Sequence, residues 1–308
     1  MTVWGTAIAQ ALALFLLAPL VQGVIQRLKA AFQGRRGPRI LQPYFTLGKA
    51  WRRQDVRPQA ASWVFALAPR LVVGAVLASA TAVPLFWRPE RGGWTGDFIL
   101  AVAFLALARF VLSLAGLDGG TPFGGLGSSR ESTIGALVEP ALFALALPWM
   151  VLAGSTGWPA LIAASAATTP ASVVRFLGLV AAIIVALAET GRLPVDNPDT
   201  HLELTMIHEA MELEYSGPQL ALLALAQMAK QLLVLAIVAD LLLPWGSGGL
   251  SPVPQVALAL IKWAGLAVAL GVAESLSVKL RFFRLPGYLG AATALSSAAA
   301  VLQVWGGR

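Results

Sequence analysis

Eight apolar stretches of roughly membrane-spanning length run through this chain of 308 residues, at about 3 to 26, 63 to 86, 98 to 117, 134 to 153, 172 to 189, 218 to 243, 255 to 277 and 287 to 305. Runs of about 20 apolar residues are what a hydrocarbon core about 30 Å thick selects, spanned as helices that satisfy their own backbone hydrogen bonds. A chain that is 57% hydrophobic and 12% charged is excluded from the ordinary soluble classes. The expected fold is all-α: a single integral membrane domain over 1–308, with inner loops at 27–62, 118–133 and 190–217. The first stretch differs from a secretory signal, because Arg27 and Lys29 follow it rather than precede it and no small-residue cleavage pattern ends it. It reads as a retained helix.

A net charge of +7 and a pI near 10.4 would suggest nucleic acid in a soluble chain. Here nine basic residues (Arg27, Lys29, Arg35, Arg36, Arg39, Lys49, Arg52, Arg53 and Arg57) crowd the loop after the first span. Arg130, Arg192, Lys279, Arg281 and Arg284 join them on the same side, fourteen in all, against Arg88, Arg91, Arg175 and Arg308 on the other. This is the positive-inside pattern, which predicts both termini outside and accounts for the basic balance through the lipid bilayer, with no nucleic acid.

The inner loops carry the elaboration. In LQPYFTLGKAWRR, Leu41, Tyr44, Phe45, Gly48 and Trp51 fall near one helical face and Lys49, Arg52 and Arg53 elsewhere, the pattern of a short helix lying in the interface; a basic loop held by anionic headgroups is the alternative. The segment from Glu189 to Gly217 holds seven of the fifteen acidic residues. Pro194 and Pro198 break its first part, which suits irregular backbone lining a cavity. From Thr200, the spacing of Leu202, Met206, Met211 and Leu213 predicts a short helix, with Asp199 or Thr200 as cap and Glu203 completing a capping box. An acidic amphipathic segment beside anionic headgroups suits a protein partner better than lipid.

Charged residues also fall inside the spans, where they usually face a protein interior or a wet cavity. Glu139 and Glu189 sit near inner ends, Glu274 towards the inner end of the seventh stretch, and Lys230, Asp240 and Lys262 along the sixth and seventh. Together they suggest a polar file for proton or ion relay, since burial and neighbouring cations tune carboxylates. Structural readings stand beside this one: Glu139 and Glu189 as interfacial partners of Arg130 or Arg192, and Lys230 or Lys262 snorkelling or paired with Glu274. Arg109, two turns inside the third stretch, demands a partner, with Asp118 and Glu274 as candidates. There is no cysteine to supply thiolates. The two histidines, His201 and His208, make a poor metal site by themselves and read as solvated or hydrogen-bonded loop residues.

Four stretches in order resemble the family of subunit 1 of respiratory complex I, the proton-pumping NADH-quinone oxidoreductase. They are Arg36-Gly37-Pro38 with Leu41-Gln42-Pro43 and Lys49; Phe65, Ala68 and Pro69; Gly127-Ser128-Ser129-Arg130 with Glu139; and Glu189-Thr190, Arg192, Pro194, Asp196, Pro198, Glu203-Leu204 and Glu214-Tyr215-Ser216-Gly217. Position 191 is Gly where that branch usually has Asn, His201 stands where it usually has an acid, and the long loop has three extra residues before Glu-Tyr-Ser-Gly. The wording of 196–217 instead resembles the corresponding membrane component of membrane-bound NiFe (nickel-iron) hydrogenases of the hydrogenase-4 and formate hydrogenlyase type.

That resemblance implies a membrane subunit, not itself redox-active, of an oxidoreductase complex in a bacterial or archaeal cytoplasmic membrane. It would dock soluble NiFe and iron-sulfur subunits onto antiporter-like membrane subunits and couple electron transfer to ion translocation. The metal clusters would sit on partners, and quinone binding stays open. It sets Glu139 and Glu189 where the family's motifs meet the membrane, and the residue chemistry adds Glu274, Lys230, Lys262, Asp240 and Arg109 to the expected relay. It assigns arm contacts or cavity loops to Arg36, Gly37, Pro38, Gln42, Arg130, Arg192, Asp196, Glu203, Glu212, Glu214 and Tyr215. The alternatives are a quinone-reducing complex I subunit, a secondary transporter, disfavoured by the lack of an internal repeat, and a passive anchor, which leaves the buried charges unexplained.

Overall fold

The computed structural model describes residues 3–86, 96–167, 173–196, 207–246 and 251–306. Their helices are α1 (Val3–Phe32), α2 (Gln42–Trp51), α3 (Trp63–Ala82), α4 (Phe98–Asp118), α5 (Pro122–Ala153), α6 (Trp158–Ala167), α7 (Val173–Glu189), α8 (His208–Glu212), α9 (Gly217–Leu242), α10 (Pro252–Leu276) and α11 (Leu285–Gly306), the last entered through a 3-10 turn at Phe282–Arg284. Among the described residues there is no strand, only an isolated bridge between Asp97 and Gly157. Seven helices, α1, α3, α4, α5, α9, α10 and α11, are long and apolar enough to cross a membrane. The 17-residue α7 adds an eighth apolar segment at the short end of the spanning range.

α9 is the axis of the bundle, packed against α1, α2, α3, α6, α7 and α10, and every side chain from Ala229 to Leu242 is buried. α4 and α5 pack on one side through α3, and α11 closes the bundle between α5 and α7. α6, a ten-residue apolar helix between the fourth and fifth expected spans, packs beside α5 and α9 and is too short to cross.

Two helices run past the expected span ends, and both extensions build the site. α1 continues to Phe32, which carries Lys29 on its last turns. α5 begins at Pro122, so most of the segment expected as an inner loop over 118–133 is helix. Thr121 caps it, its hydroxyl accepting from the Gly124 amide at 3.3 Å, and Pro122 occupies the first helical turn, where its missing N–H is not needed. The Gly-rich run that reads as loop serves close packing instead. A Cβ on Gly127 would lie 2.8 Å from the Ile207 carbonyl oxygen and 2.9 Å from the Ala210 side chain.

The short interfacial helix expected around 41–53 is α2, which presents Tyr44, Phe45 and Trp51 outward and buries Pro43. The Tyr44 hydroxyl donates to the Leu16 carbonyl of α1. Of the acidic segment, only His208–Glu212 is helical among the described residues. The proposed cap at Asp199 or Thr200, together with His201 and Glu203, lies outside them.

Candidate functional site

Arg109, at 6% exposure, enters the bundle from α4 and forks across α5 and α7. Its Nε donates to Glu131 at 3.0 Å, one terminal nitrogen to Glu139 at 3.0 Å, and the other to Glu189. Glu131 and Glu139 stand eight residues apart on one face of α5, with Gly135 between them at the i+4 position. A Cβ on Gly135 would lie 2.8 Å from Arg109 Cδ, so the guanidinium stem lies over a bare stretch of backbone. Lys230 of α9 reaches the second oxygen of Glu189 at 3.0 Å. The network holds two cations and three carboxylates, one negative charge in excess unless His208 is protonated. The His208 Nδ1 lies 3.9 Å from Glu131, a charge contact rather than a hydrogen bond.

These partners correct the sequence expectations. Arg109 pairs with neither Asp118 nor Glu274. Asp118 instead accepts from the Ser62 amide and hydroxyl, each at 2.9 Å, and from the Phe65 amide at 3.0 Å, tying the start of α3. Glu139 and Glu189 pair with Arg109 rather than with Arg130 or Arg192, and Lys230 pairs with Glu189 rather than with Glu274. His208 is not a solvated loop residue. Burial alone would depress its pKa, but the facing Glu131 and, more weakly, Glu212 outweigh that and raise it above the ordinary histidine value. Burial raises Glu212 as well.

A second charge group is centred on α10. Glu274 of α10, at 1% exposure, accepts from Lys29 at 2.9 Å and from Arg192 at 2.9 Å. Arg192 also donates to Gln22 and, at 2.8 Å, to Gln231. Here two cations hold one carboxylate. A cavity of about 880 Å³ opens onto the second group and meets the first only through His208, with Glu274, Arg192, Lys29, His208, Glu212 and Gln227 in its wall and Arg36, Gly37 and Pro38 at its rim. A void of about 20 Å³ lies deeper, between His208, Glu212, Gln227, Lys230 and Arg109. That is room for one water among several polar partners. His208 and Glu212 line both spaces.

Asp240 and Lys262 are not part of this assembly. They line a separate small pocket with Gln255 and Trp263, where Lys262 donates to the Trp245 carbonyl at 2.7 Å. Asp240 stands ten residues beyond Lys230 on α9, about 15 Å along its axis, past an unbroken apolar run from Leu232 to Ala239. Among the loop residues, Asp196 accepts from the Ile207 and His208 amides at 3.2 and 3.0 Å and so fixes the start of α8. Tyr215 is buried, stacked on Phe65 at 3.9 Å with its hydroxyl donating to the Phe65 carbonyl at 2.9 Å, a clamp on α3 rather than an exposed contact. Gln42 opens α2 outside the cavity wall, Glu214 is half-buried beside Tyr215, and Arg130 lines a different groove. Gly191 has φ +58°, a left-handed conformation that Gly adopts freely and Asn tolerates, so the departure from Asn there is conformationally neutral.

Sequence reasoning passed over Glu131, Lys29, Gln22 and Gln231 as members of the site and left His208 as a solvated or hydrogen-bonded loop residue. The signal for Glu131 is its i, i+8 register with Glu139 across Gly135, visible once the helix is allowed to begin at Pro122.

An all-helical membrane bundle with a polar cavity on one side and a buried ion network behind it defines a class of integral membrane protein built to hold charge within the bilayer. Within that class the chain belongs to the NADH dehydrogenase family, whose model matches residues 6–304. It is 37% identical over 242 residues to hydrogenase-4 component C of Escherichia coli, which covers 78% of this chain and 75% of that protein. It is 34% identical over 290 residues to formate hydrogenlyase subunit 4 of the same organism, covering 88% and 89%. A chain of the archaeal membrane-bound sulfane sulfur reductase, a respiratory membrane complex, superposes with a TM-score of 0.81 over 98% of this chain and 100% of its own. At 18% identity that likeness shows the fold.

Proposed function

We propose that this chain is the membrane-embedded subunit of an energy-converting complex of the hydrogenase-4 and formate hydrogenlyase type, in a bacterial or archaeal cytoplasmic membrane. It docks a soluble arm carrying NiFe and iron-sulfur centres and relays charge between that arm and antiporter-like membrane subunits. The chain has no cysteine, and among the described residues no three His, Asp or Glu side chains converge on a metal-sized site. Its own donors do not fit such centres, and electron transfer is left to the partners.

The observation that carries the reading is the course of the Arg109 network. It starts at the cavity through His208 and Glu212 and ends at Glu139, whose side chain is 38% exposed. Glu139 lies fourteen residues before the Ala153 end of α5, about 21 Å along the helix and so within hydrocarbon depth. A charge there, open to the outside of this subunit, calls for a polar neighbour rather than lipid. A second membrane subunit seated on α5 supplies one and continues the path. Each carboxylate that gains and loses a proton beside a fixed Arg or Lys then passes charge without a moving cofactor.

A quinone-reducing role is the competing reading, supported by the family itself and by a cavity in the size range of ligand sites. The wall argues against an isoprenoid quinone. Its charged and amide side chains outnumber the apolar ones, which include only Ala30, Pro38, Ala224 and Met228. A hydrated charge-exchange chamber fits that lining better.

Affinity purification of the tagged chain in mild detergent tests the assignment. Co-purifying NiFe and antiporter-like subunits support it; NADH-oxidising subunits favour the competing reading, and no partner at all reduces the chain to an anchor or a transporter. Reporter fusions after residue 57 and at the C-terminus, expected inside and outside respectively, test the orientation.

A further inference from the structure

Arg70 is the one charged residue of α3, and the Arg109 network does not use it. It stands seven residues past Trp63 and twelve before Ala82, about 10 Å and 18 Å along the helix. Trp63 is 74% exposed, and an exposed Trp at a helix end marks the boundary between membrane and water. Arg70 therefore lies inside the hydrocarbon layer. Its side chain faces out of the bundle, on a stripe with Leu67, Leu71 and Gly74. One guanidinium nitrogen donates to the Ala66 carbonyl at 3.1 Å, a turn nearer the boundary, and among the described residues no carboxylate pairs with it. That carbonyl occupies one of the guanidinium's N–H donors and leaves its charge uncompensated.

α4 packs against α3 on one side and α5 on the other, and on α5 Glu139 is a second charge open to the outside of the subunit. Arg70 and Glu139 lie about 18 and 21 Å from the outer ends of their helices, so they share a depth. Between them the outward ridge of α4 is apolar, with Leu107, Phe110 and Leu114 exposed. An arginine left to lipid at that depth is costly, and two charges of opposite sign at one level are what a protein neighbour can match. A lipid phosphate is the other source of negative charge, but it lies outside the hydrocarbon, beyond Trp63, whereas the Arg70 guanidinium is held at the Ala66 carbonyl inside Trp63. The acids outside the described residues, Glu90, Asp199 and Glu203, belong to connections between helix ends at the two membrane surfaces rather than to this depth. Gly74, a turn deeper than Arg70, has nothing within 4 Å of where a Cβ would stand, an opening that lets a second helix come close. We propose that the outward face of α3 and α4 seats a transmembrane helix of a neighbouring membrane subunit, and that this helix presents a carboxylate to Arg70. The seat extends across α4 the neighbour proposed at Glu139, and it stands on Arg70 whether or not charge passes through Glu139.

The test uses the assembled complex in native membranes. A photoreactive benzoylphenylalanine replacing the exposed Leu71, with Arg70 intact, should crosslink on irradiation to a transmembrane peptide of another subunit. R70Q should lower the amount of that subunit co-purified in mild detergent about tenfold or more, the effect of removing one partner from a desolvated charge pair. In R70E, replacing the acid found in the crosslinked peptide by Arg should restore it. A phospholipid adduct alone, which would show Arg70 snorkelling to a headgroup, overturns the seat. So do an adduct with a soluble subunit, a full complement of membrane subunits in R70Q, and a charge exchange that restores nothing. Should R70Q fail to accumulate, the Leu71 crosslink decides. A crosslinked membrane subunit in a complex that lacks NiFe subunits would overturn the function proposed above and leave the seat standing, and a phospholipid adduct in a complex that holds them would do the reverse.

Discussion

The two buried charge groups, one lining the cavity and one behind His208, are built with opposite excess. Around Arg109 and Lys230 three carboxylates meet two cations, while around Glu274 two cations meet one carboxylate. Both sit where an unpaired charge would be expensive, yet they fail differently when a member is lost. Glu274 keeps a partner if either Lys29 or Arg192 is removed. Among the described residues, Arg109 is the one group that touches all three carboxylates of its network, and only Glu189 has a second Lys or Arg within ion-pair distance. The first group is a network with a keystone and the second a redundant clamp, which suits a variable protonation state in one and a fixed wall in the other.

Removing the keystone should have the largest effect. Arg109→Leu leaves Glu131 and Glu139 buried or half-buried without their cation, a loss of about 3–5 kcal/mol on the scale of broken buried pairs, and the protein should vanish from membranes. Arg109→Lys keeps the charge but not the fork and should rescue it only partly. Arg192→Gln, which leaves Lys29 on Glu274, should lower the melting temperature without loss of the protein. Equal membrane levels for Arg109→Leu and Arg192→Gln would abolish the distinction.

A subtler strike at the same contrast is Gly135→Ala. The new Cβ must displace Arg109 Cδ, 2.8 Å away, a crowding worth about 1–3 kcal/mol. Gly265→Ala on α10 has nothing within 4 Å to meet and should stay within about 0.5 kcal/mol of wild type. Thermal unfolding in detergent compares the two, and a silent Gly135→Ala would mean that Arg109 has freedom the packing denies.

These glycines also explain what was legible in the sequence. Apolar length located the spans because the bilayer imposes it. The start of α5 was not legible, because Gly124 and Gly127 look alike whether they serve a loop or a close helix contact, and only their neighbours, Gly116 for the one and Ile207, Ala210 and Met211 for the other, decide which. Arg109, Glu139, Glu189 and Lys230 stand out in the sequence because charge at membrane depth is rare. Their pairing does not, since it depends on how α4, α5, α7 and α9 face each other. Asp240 and Lys262 satisfy the same rule of rarity and yet stand apart, because Asp240 lies about 15 Å further along α9 and Lys262, on α10, reaches the Trp245 carbonyl instead.

The third prediction uses the relay itself. Glu139→Gln keeps shape and its hydrogen bond from Arg109 while removing titration, and Glu189→Gln removes titration but accepts from only one of Arg109 and Lys230. Assembly should survive, and ions moved per electron in vesicles should fall about tenfold or more if proton transfer at these groups is required. Asp240→Asn, outside the network, should leave the ratio unchanged. Unaltered stoichiometry in both Gln variants would leave the Arg109 network with structure as its sole role.

The smallest effect is a pH dependence, and it separates His208 from Glu212 by its window. His208 faces Glu131 of α5, Glu212 of α8, Lys230 of α9 and Arg109 of α4, and its pKa is raised in the folded protein. Its contribution is therefore complete below the unfolded value of about 6.5 and is lost as pH rises through the higher folded value, because the folded state binds the proton more tightly. Glu212, raised by burial, acts with the same sign but in a lower window that opens above its ordinary carboxyl value of 4.5. Melting temperature should thus decline in two steps from acid to mildly alkaline pH. His208→Gln should remove the upper step and Glu212→Gln the lower, while Arg192→Gln should shift the whole curve and leave both steps in place. A wild-type curve that is flat above pH 6, or an upper step that persists in His208→Gln, would show that the histidine lining both the cavity and the inner void does not change charge where the two meet.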